Sequence, residues 1–234
     1  MMDCLILIPA KGFVAPKQRL SSVLDLAERS RLAAAMLDDV LTALATWRKR
    51  PDVAVVTGDS AAKEMALGRG FKVIEDHECA GETDAIAAAT SVAIGWGAAS
   101  TMVIPADMPL VIADELAAVL NALPAPPAPG SVLVPAADGR GTNAVLRRPA
   151  DLFPLHFGND SFQPHWRAAQ STGCLCRVLK LPGIGLDIDG PADLAALLHE
   201  PVRTESQRLL LSWNVSERLA ALSGASAINA AAIS

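Results

Sequence analysis

Apolar residues fall along this chain in two rhythms, and their alternation predicts the architecture. Short continuous runs, Cys4-Leu-Ile-Leu-Ile-Pro9, Val53-Ala-Val-Val-Thr57, Phe71-Lys-Val-Ile-Glu75, Thr101-Met-Val-Ile104 and Ser131-Val-Leu-Val-Pro135, have strand length and little alternation. That is the pattern of strands covered on both faces. Between them the period lengthens. Leu32, Met36, Val40, Leu44 and Trp47 recur at helical spacing over 28–47, Ser60 to Arg69 is a short helix closed by Gly70, an Ala-rich helix follows Gly81, and 112–123 is a further helix. Strand, helix, strand, helix predicts an α/β fold, with a mostly parallel central sheet and helices on both faces.

Past the stiff segment Pro124-Ala-Pro-Pro-Ala-Pro-Gly130 the sequence reads as strands at 131–135 and up to Leu146. A helix over 163–172 follows, then strands at 177–181 and 185–189, and a helix opened by Pro191. The length suits one domain over 1–198 with a C-terminal extension, 199–234. Leu209-Leu-Leu211, Trp213, Leu219 and Leu222 give that extension an apolar side, to pack on the body or on a second subunit of a homodimer.

Composition removes several classes of function. With 51 % hydrophobic and 19 % charged residues the chain is globular. Its 20 Lys and Arg are outnumbered by 25 acids and form no dense block, so a nucleic-acid partner is not expected. Thr90, Ser91, Gly95 and Gly97 interrupt the longest apolar stretch, so no membrane span is expected, and the N-terminus lacks a basic segment before its apolar run, which makes the cytoplasm the default. Cys4, Cys79, Cys174 and Cys176 have neither zinc nor redox spacing, and His77, His156, His165 and His199 share no ligand spacing. All eight read as core or surface residues.

The candidate chemistry lies where strands end. Asp107, boxed between Pro105 and Pro109, follows a buried strand at the rim where open parallel sheets bind ligands. A hard carboxylate there suits Mg²⁺ carrying nucleotide phosphates, against the plainer reading of a turn residue. The loop after the first strand carries Lys11, Lys17 and Arg19, which suit phosphate oxygens or a solvated surface. Glu82 and Asp84 are acceptors that could take the paired N–H donors of guanine, whereas Thr83 or Asp84 could simply cap a helix. Asp138-Gly-Arg-Gly-Thr-Asn143 offers donors to an anion or makes a hairpin turn, and Ser161 stands near a helix N-terminus. Asp187 and Asp189, two apart on an extended segment, project the same way and can meet Asp107 across a metal.

Taken together, Leu7-Ile-Pro-Ala-Lys11 with Pro16-Lys-Gln-Arg-Leu20, Pro105-Ala-Asp-Met-Pro-Leu110, Gly141-Thr-Asn-Ala144, Phe157-Gly-Asn-Asp-Ser-Phe162 and Leu186-Asp-Ile-Asp-Gly-Pro-Ala-Asp-Leu194 resemble the phospholactate guanylyltransferase family, in register from about residue 3 to 198. The resemblance implies a glycosyltransferase-A-like, Rossmann-like nucleotidyltransferase. It would use GTP, Mg²⁺ and a small phosphorylated acid (2-phospho-L-lactate, phosphoenolpyruvate or 3-phosphoglycerate) to make a guanylylated precursor of coenzyme F-420. Lys11, Lys17 and Arg19 match the family's phosphate-loop cations, with Pro9, Ala10, Gly81, Glu82 and Asp84 on the nucleotide side. Asp107, Asp187 and Asp189 match its metal acids, and Thr142, Asn143 and Ser161 its acceptor side. Gly81-Glu-Thr-Asp84 stands where the family has Gly-Leu-Asn, and Gly12-Phe13 also departs from its pattern. Two other readings share the fold: a cytidylyl- or guanylyltransferase for a pterin or sugar acid, and a non-catalytic nucleotide-binding module.

Overall fold

The first apolar run is central because both of its faces are covered. In a computed structural model of the chain, which describes residues 3–14, 16–76 and 81–222, strand β1 (Leu5–Pro9) sends Ile6 and Ile8 into one core and Leu5 and Leu7 into another. Strand β2 (Asp52–Thr57) divides in the same way, Val53 and Val55 against Ala54 and Val56. Each fully buried Leu, Ile or Val contributes about 2 kcal/mol. A continuous run of such residues is therefore stable only inside a sheet with two covered faces.

Strands β3 (Lys72–Glu75), β4 (Thr101–Val103), β5 (Gly130–Pro135), β6 (Thr142–Arg148) and β7 (Leu175–Val178) complete a seven-stranded sheet of order β3-β2-β1-β4-β6-β5-β7. Pairings β1–β2, β1–β4, β2–β3 and β5–β7 are parallel, and β6 runs antiparallel to both β4 and β5. The sheet is thus mostly parallel, as the alternation implied. The reversal at β6 matters for the site: with Val103 opposite Val145, the amino end of β6 lies at the same rim as the carboxyl ends of β1, β4 and β5.

Helices α1 (Leu26–Thr46), α2 (Ser60–Leu67) and α4 (Ala113–Asn121) cover one face, and α3 (Glu82–Gly95) and α5 (Phe162–Ser171) the other. Helix α1 begins two residues before the periodicity indicated, because Asp25 and Glu28 form a reciprocal capping box. Thr83 and Asp84 do not cap α3, whose N-cap is Gly81 with no side-chain bond. The segment 138–141 does lie in the hairpin turn between β5 and β6, with Gly139 at a positive φ of 73°.

One expected strand is absent. Among the described residues, 185–189 pair with no strand; Pro182–Gly185 forms a single helical turn, α6, and Leu186 to Asp189 run extended. The alternation Leu186, Ile188 against Asp187, Asp189 has strand period, but the Ile188 N–H donates to the Asp107 carbonyl at 3.1 Å instead of to a ladder. Helix α7 (Pro191–His199) begins with Pro191 as expected.

The extension forms α8 (Glu205–Ser212), whose first N–H groups and the Ser206 hydroxyl donate to Asp39 of α1. Leu210 and Val215 join Leu20, Leu24, Leu32 and Met36 in a third core. Cys4 is buried, Cys174 and Cys176 are half-buried, and all three are free thiols; Cys79 and His77 lie outside the described residues. Among the described residues no helix is long and apolar enough to cross a membrane.

Candidate functional site

Two cavities of about 650 and 550 Å³ adjoin at the carboxyl rim and share a wall made of Arg19, Glu82, Pro105, Asp107 and Asp189. The larger is lined by Arg140, Thr142, Asn143, Ser161 and Asp187, among others; the smaller by Pro9, Ala10, Lys11, Gly12, Phe13 and Lys17. The loop after β1 therefore builds one chamber and the β5–β6 hairpin the other.

Lys17 sits at the seam. Its backbone is left-handed (φ 49°, ψ 53°), unusual for a side-chain-bearing residue and the kind of strain found at functional sites. The ammonium donates to Asp107 Oδ2 at 2.5 Å and to Asp189 Oδ1 at 2.8 Å. Burial by itself would lower the Lys17 pKa, but the two carboxylates outweigh it and hold the group well above the usual lysine range. Arg19 completes the cluster, 3.7 Å from Asp189 Oδ2 and donating to Asn159 Oδ1 at 3.3 Å. Lys11 is exposed on the wall of the smaller cavity and makes no ion pair among the described residues.

The three predicted metal acids share the larger cavity. Asp187 Oδ1 accepts from Asn143 Nδ2 at 2.9 Å, while Asn143 also donates to the Ile184 carbonyl. Burial raises the Asp187 pKa against the Asn143 hydrogen bond, and Asp107 and Asp189 add to the rise. For Asp189 burial acts upward too, but Lys17 and Arg19 bring its pKa below the ordinary value. Asp107 Oδ1 is buried and has no hydrogen-bond partner among the described residues, the condition of a carboxylate oxygen shaped for a cation. No group of three acids is drawn together as a finished cage among the described residues. Carboxylates repel, and in this arrangement the Lys17 ammonium supplies the counter-charge.

Glu82 and Asp84 separate. Positions two apart on a helix differ by roughly 200°, so with α3 beginning at Glu82 the two cannot face one ligand. Glu82 lines both cavities, its pKa raised by burial and by Asp107, whereas Asp84 is exposed and, like Gly81, lines neither. Thr83 turns elsewhere, accepting from the Phe157 N–H at 2.9 Å and so fixing the start of the 157–161 loop.

Thr142 and Ser161 are oriented as donors by groups the sequence did not single out. The Thr142 N–H donates to Ser161 Oγ at 3.0 Å. His165, fully buried, accepts the His156 N–H at Nε2 (2.8 Å), so its proton sits on Nδ1 and points to Thr142 Oγ1 at 3.0 Å. Each hydroxyl is used as an acceptor and keeps its hydrogen for the cavity. Burial, then His156 and Arg147, pushes the His165 pKa down to about 4. Its folded pKa is depressed, so stability is complete above pH 6.5 and falls as the pH drops towards 4, by up to about 3 kcal/mol. The His165→Asn variant is expected to show a flatter loss of melting temperature between pH 6.5 and 4.5 than the parent; parallel curves would show that His165 does not titrate in that range.

Sequence reading also passed over Asp160 and Asp193, although they lie within the 157–162 and 186–194 motifs, and Glu115, which no motif marks. Arg140 was visible as the cation of a Gly-flanked turn; it forks onto Asp160 at 2.5 and 3.1 Å at the mouth of the larger cavity.

The fold recurs in known proteins. A Desulfovibrio desulfuricans G20 crystal structure, assigned as a nucleotide-diphospho-sugar transferase, superposes with a TM-score of 0.75 at 20 % identity over 93 % of this chain and 99 % of that one. A Leptospira borgpetersenii cytidylyltransferase gives 0.59 at 14 % identity, covering 94 % and 97 %. In sequence, a phosphoenolpyruvate guanylyltransferase of Roseiflexus castenholzii is 35 % identical, covering 89 % of this chain and 94 % of its own. A 3-phospho-D-glycerate guanylyltransferase of Colwellia psychrerythraea is 33 % identical (87 % and 96 %), and a 2-phospho-L-lactate guanylyltransferase of Methanothermobacter thermautotrophicus 30 % (90 % and 90 %). The family model described as guanylyl transferase CofC like matches residues 4–221, continuing past 198 through α8. The chain belongs to the CofC-like guanylyl transferase family.

Proposed function

We propose that this protein transfers GMP from GTP to the phosphate of a small phosphorylated acid, of the class of phosphoenolpyruvate, 3-phosphoglycerate or 2-phospho-L-lactate, in making a coenzyme F-420 precursor. The observation that carries the reading is the shared wall: a nucleotide in the smaller cavity and an acceptor in the larger would meet where Lys17, Arg19, Asp107 and Asp189 converge.

An oxygen of the acceptor phosphate attacks the α-phosphorus of GTP. The new P–O bond forms as the bond to the β-phosphate bridge breaks, and pyrophosphate leaves with the electron pair. A phosphate monoester is largely dianionic at neutral pH, with a second pKa near about 6, so no general base is required. The protein's work is positioning and charge neutralisation. Lys17 and Arg19 would bind triphosphate oxygens at the seam, Lys11 those deeper in the smaller cavity, and Thr142 and Ser161 would donate to the acceptor. Asp107, with Asp187 or Asp189, would hold Mg²⁺, a fit supported by the buried unpartnered Oδ1 of Asp107; the ion would supply neutralisation of phosphate charge.

All three acceptor candidates carry a carboxylate besides the phosphate. Arg140 is the cation on the hairpin side of the larger cavity, with Nη1 outside its fork to Asp160. Because Arg140 is exposed, Arg140→Ala is expected to raise the acceptor KM about 10-fold with the GTP KM unchanged. An unchanged acceptor KM would place the carboxylate elsewhere.

Pyrophosphate release, with Mg²⁺, from GTP, CTP, ATP and UTP crossed against the three acids tests the whole reading. Release with GTP and one acid is the expected result. Release only with another nucleotide would assign a different base, and silence in every combination would overturn the reading.

A further inference from the structure

Two of the site's acids, Asp187 and Asp189, stand on a segment that the sheet does not hold, and what holds it reaches in from outside both cavities. We propose that Glu115, on α4, is the positioning residue that sets the affinity of Asp187 and Asp189 for a divalent cation; this rests on the metal assignment above. Glu115 Oε1 accepts the Gly183 N–H at 2.9 Å and Oε2 the Ile184 N–H at 2.8 Å. These are the free donors at the start of α6, where Pro182 has none to offer. From the other end of the same turn, the Ile184 carbonyl accepts from Asn143, whose amide also holds Asp187 Oδ1.

The path from Glu115 to the acids is therefore short and made of bonds: carboxylate to turn, turn to Asn143, Asn143 to Asp187. Further along, Ile188 donates to the Asp107 carbonyl, and Asp193 Oδ2 accepts from the N–H groups of Asp189 and Gly190. Glu115 is the fastening at the beginning of the segment and lines neither cavity.

Position 183 is tailored to this contact. A Cβ there would lie 2.6 Å from Glu115 Oε2 and 2.5 Å from the Leu110 carbonyl oxygen. That carbonyl is fixed in turn, accepting from Arg203 Nη2 at 3.0 Å, so a methyl at 183 would have to displace the turn or the Glu115 carboxylate. The chemistry also requires a carboxylate. Two N–H donors need two acceptor oxygens; glutamine offers one and sets an NH₂ against the second N–H.

The test compares the full chain with Glu115→Gln and Gly183→Ala, which strike the contact from opposite sides without touching an acid of the site. Mn²⁺ binding is measured by calorimetry in the absence of nucleotide, with circular dichroism and melting to establish folding. Both folded variants are expected to bind Mn²⁺ about 10-fold or more weakly than the parent, as for other residues that orient metal ligands. In turnover, the Mg²⁺ concentration for half-maximal rate should rise by a similar factor with the acceptor KM unmoved.

Parent-like Mn²⁺ affinity in a folded variant would overturn the proposal and leave the guanylyltransferase reading standing. A parent protein that binds no Mn²⁺ would overturn the metal assignment and this proposal together. If Glu115→Gln does not fold, Gly183→Ala decides the question, and if neither folds, Glu115 is a residue of the fold and the proposal fails.

Discussion

Asp107→Asn is expected to lower turnover by about 10³-fold or more while the protein keeps its fold. The substitution is nearly isosteric and removes one charge at the place where both cavities and both substrates would meet. Two stability effects oppose one another. The ion pair with Lys17 is lost, but so is the larger cost of burying a charged rather than a neutral polar atom without a partner. Circular dichroism should therefore be unchanged and the melting temperature should move by only about 3 °C. The decisive measurement is single-turnover pyrophosphate release at saturating GTP and acceptor; a near-normal rate would remove Asp107 from the reaction.

The second large effect is expected at Lys17. Replacing it with alanine removes an ammonium that touches two of the acids, and kcat/KM for GTP should fall about 10²- to 10³-fold, the usual scale for losing a charged donor at a phosphoryl-transfer centre. Its raised pKa gives a second signature. A lysine with a raised folded pKa contributes stability that is complete below the ordinary lysine value of 10.5 and is lost as pH climbs from there through the raised value. The difference in melting temperature between Lys17→Ala and the parent should hence be constant from pH 6 to 9. A difference that shrinks across that range would mean Lys17 titrates there, against the pairing with Asp107 and Asp189.

Membership of the CofC-like family leaves the acceptor unspecified, since the relatives above bear the names of three different phosphorylated acids. On the proposed assignment, the larger cavity makes that choice. Apart from the wall it shares with the smaller cavity, its residues come from three separate stretches: the hairpin with Arg140, the 157–161 loop held by Thr83, and the Asp187–Asp189 segment held through Asn143. Changes in any of these would then alter the acceptor without altering the smaller cavity, which is lined by the loop after β1 and is the proposed nucleotide side.

What the sequence determined by itself was whatever depends on neighbours along the chain. The unbroken apolar runs at β1 and β2 dictate strands buried on two faces, and the period of Leu32, Met36, Val40 and Leu44 dictates the buried stripe of α1. Asp107 after its strand, and Asp187 with Asp189 two apart on an extended segment, were legible for the same reason. Local reasoning failed where a local pattern has two solutions. The alternation at 185–189 suits a strand or an extended segment bonded to Asp107, and Glu82 and Asp84 share a face only if the chain there is extended, which α3 is not. Tertiary structure alone decided the partners: Lys17 between Asp107 and Asp189, His165 beneath Thr142, and Glu115 against Gly183 and Ile184. Each of these is a hydrogen bond or ion pair between segments far apart in sequence. The residue types declare that such groups need partners, but only the packing of the sheet and its crossovers settles which ones they find.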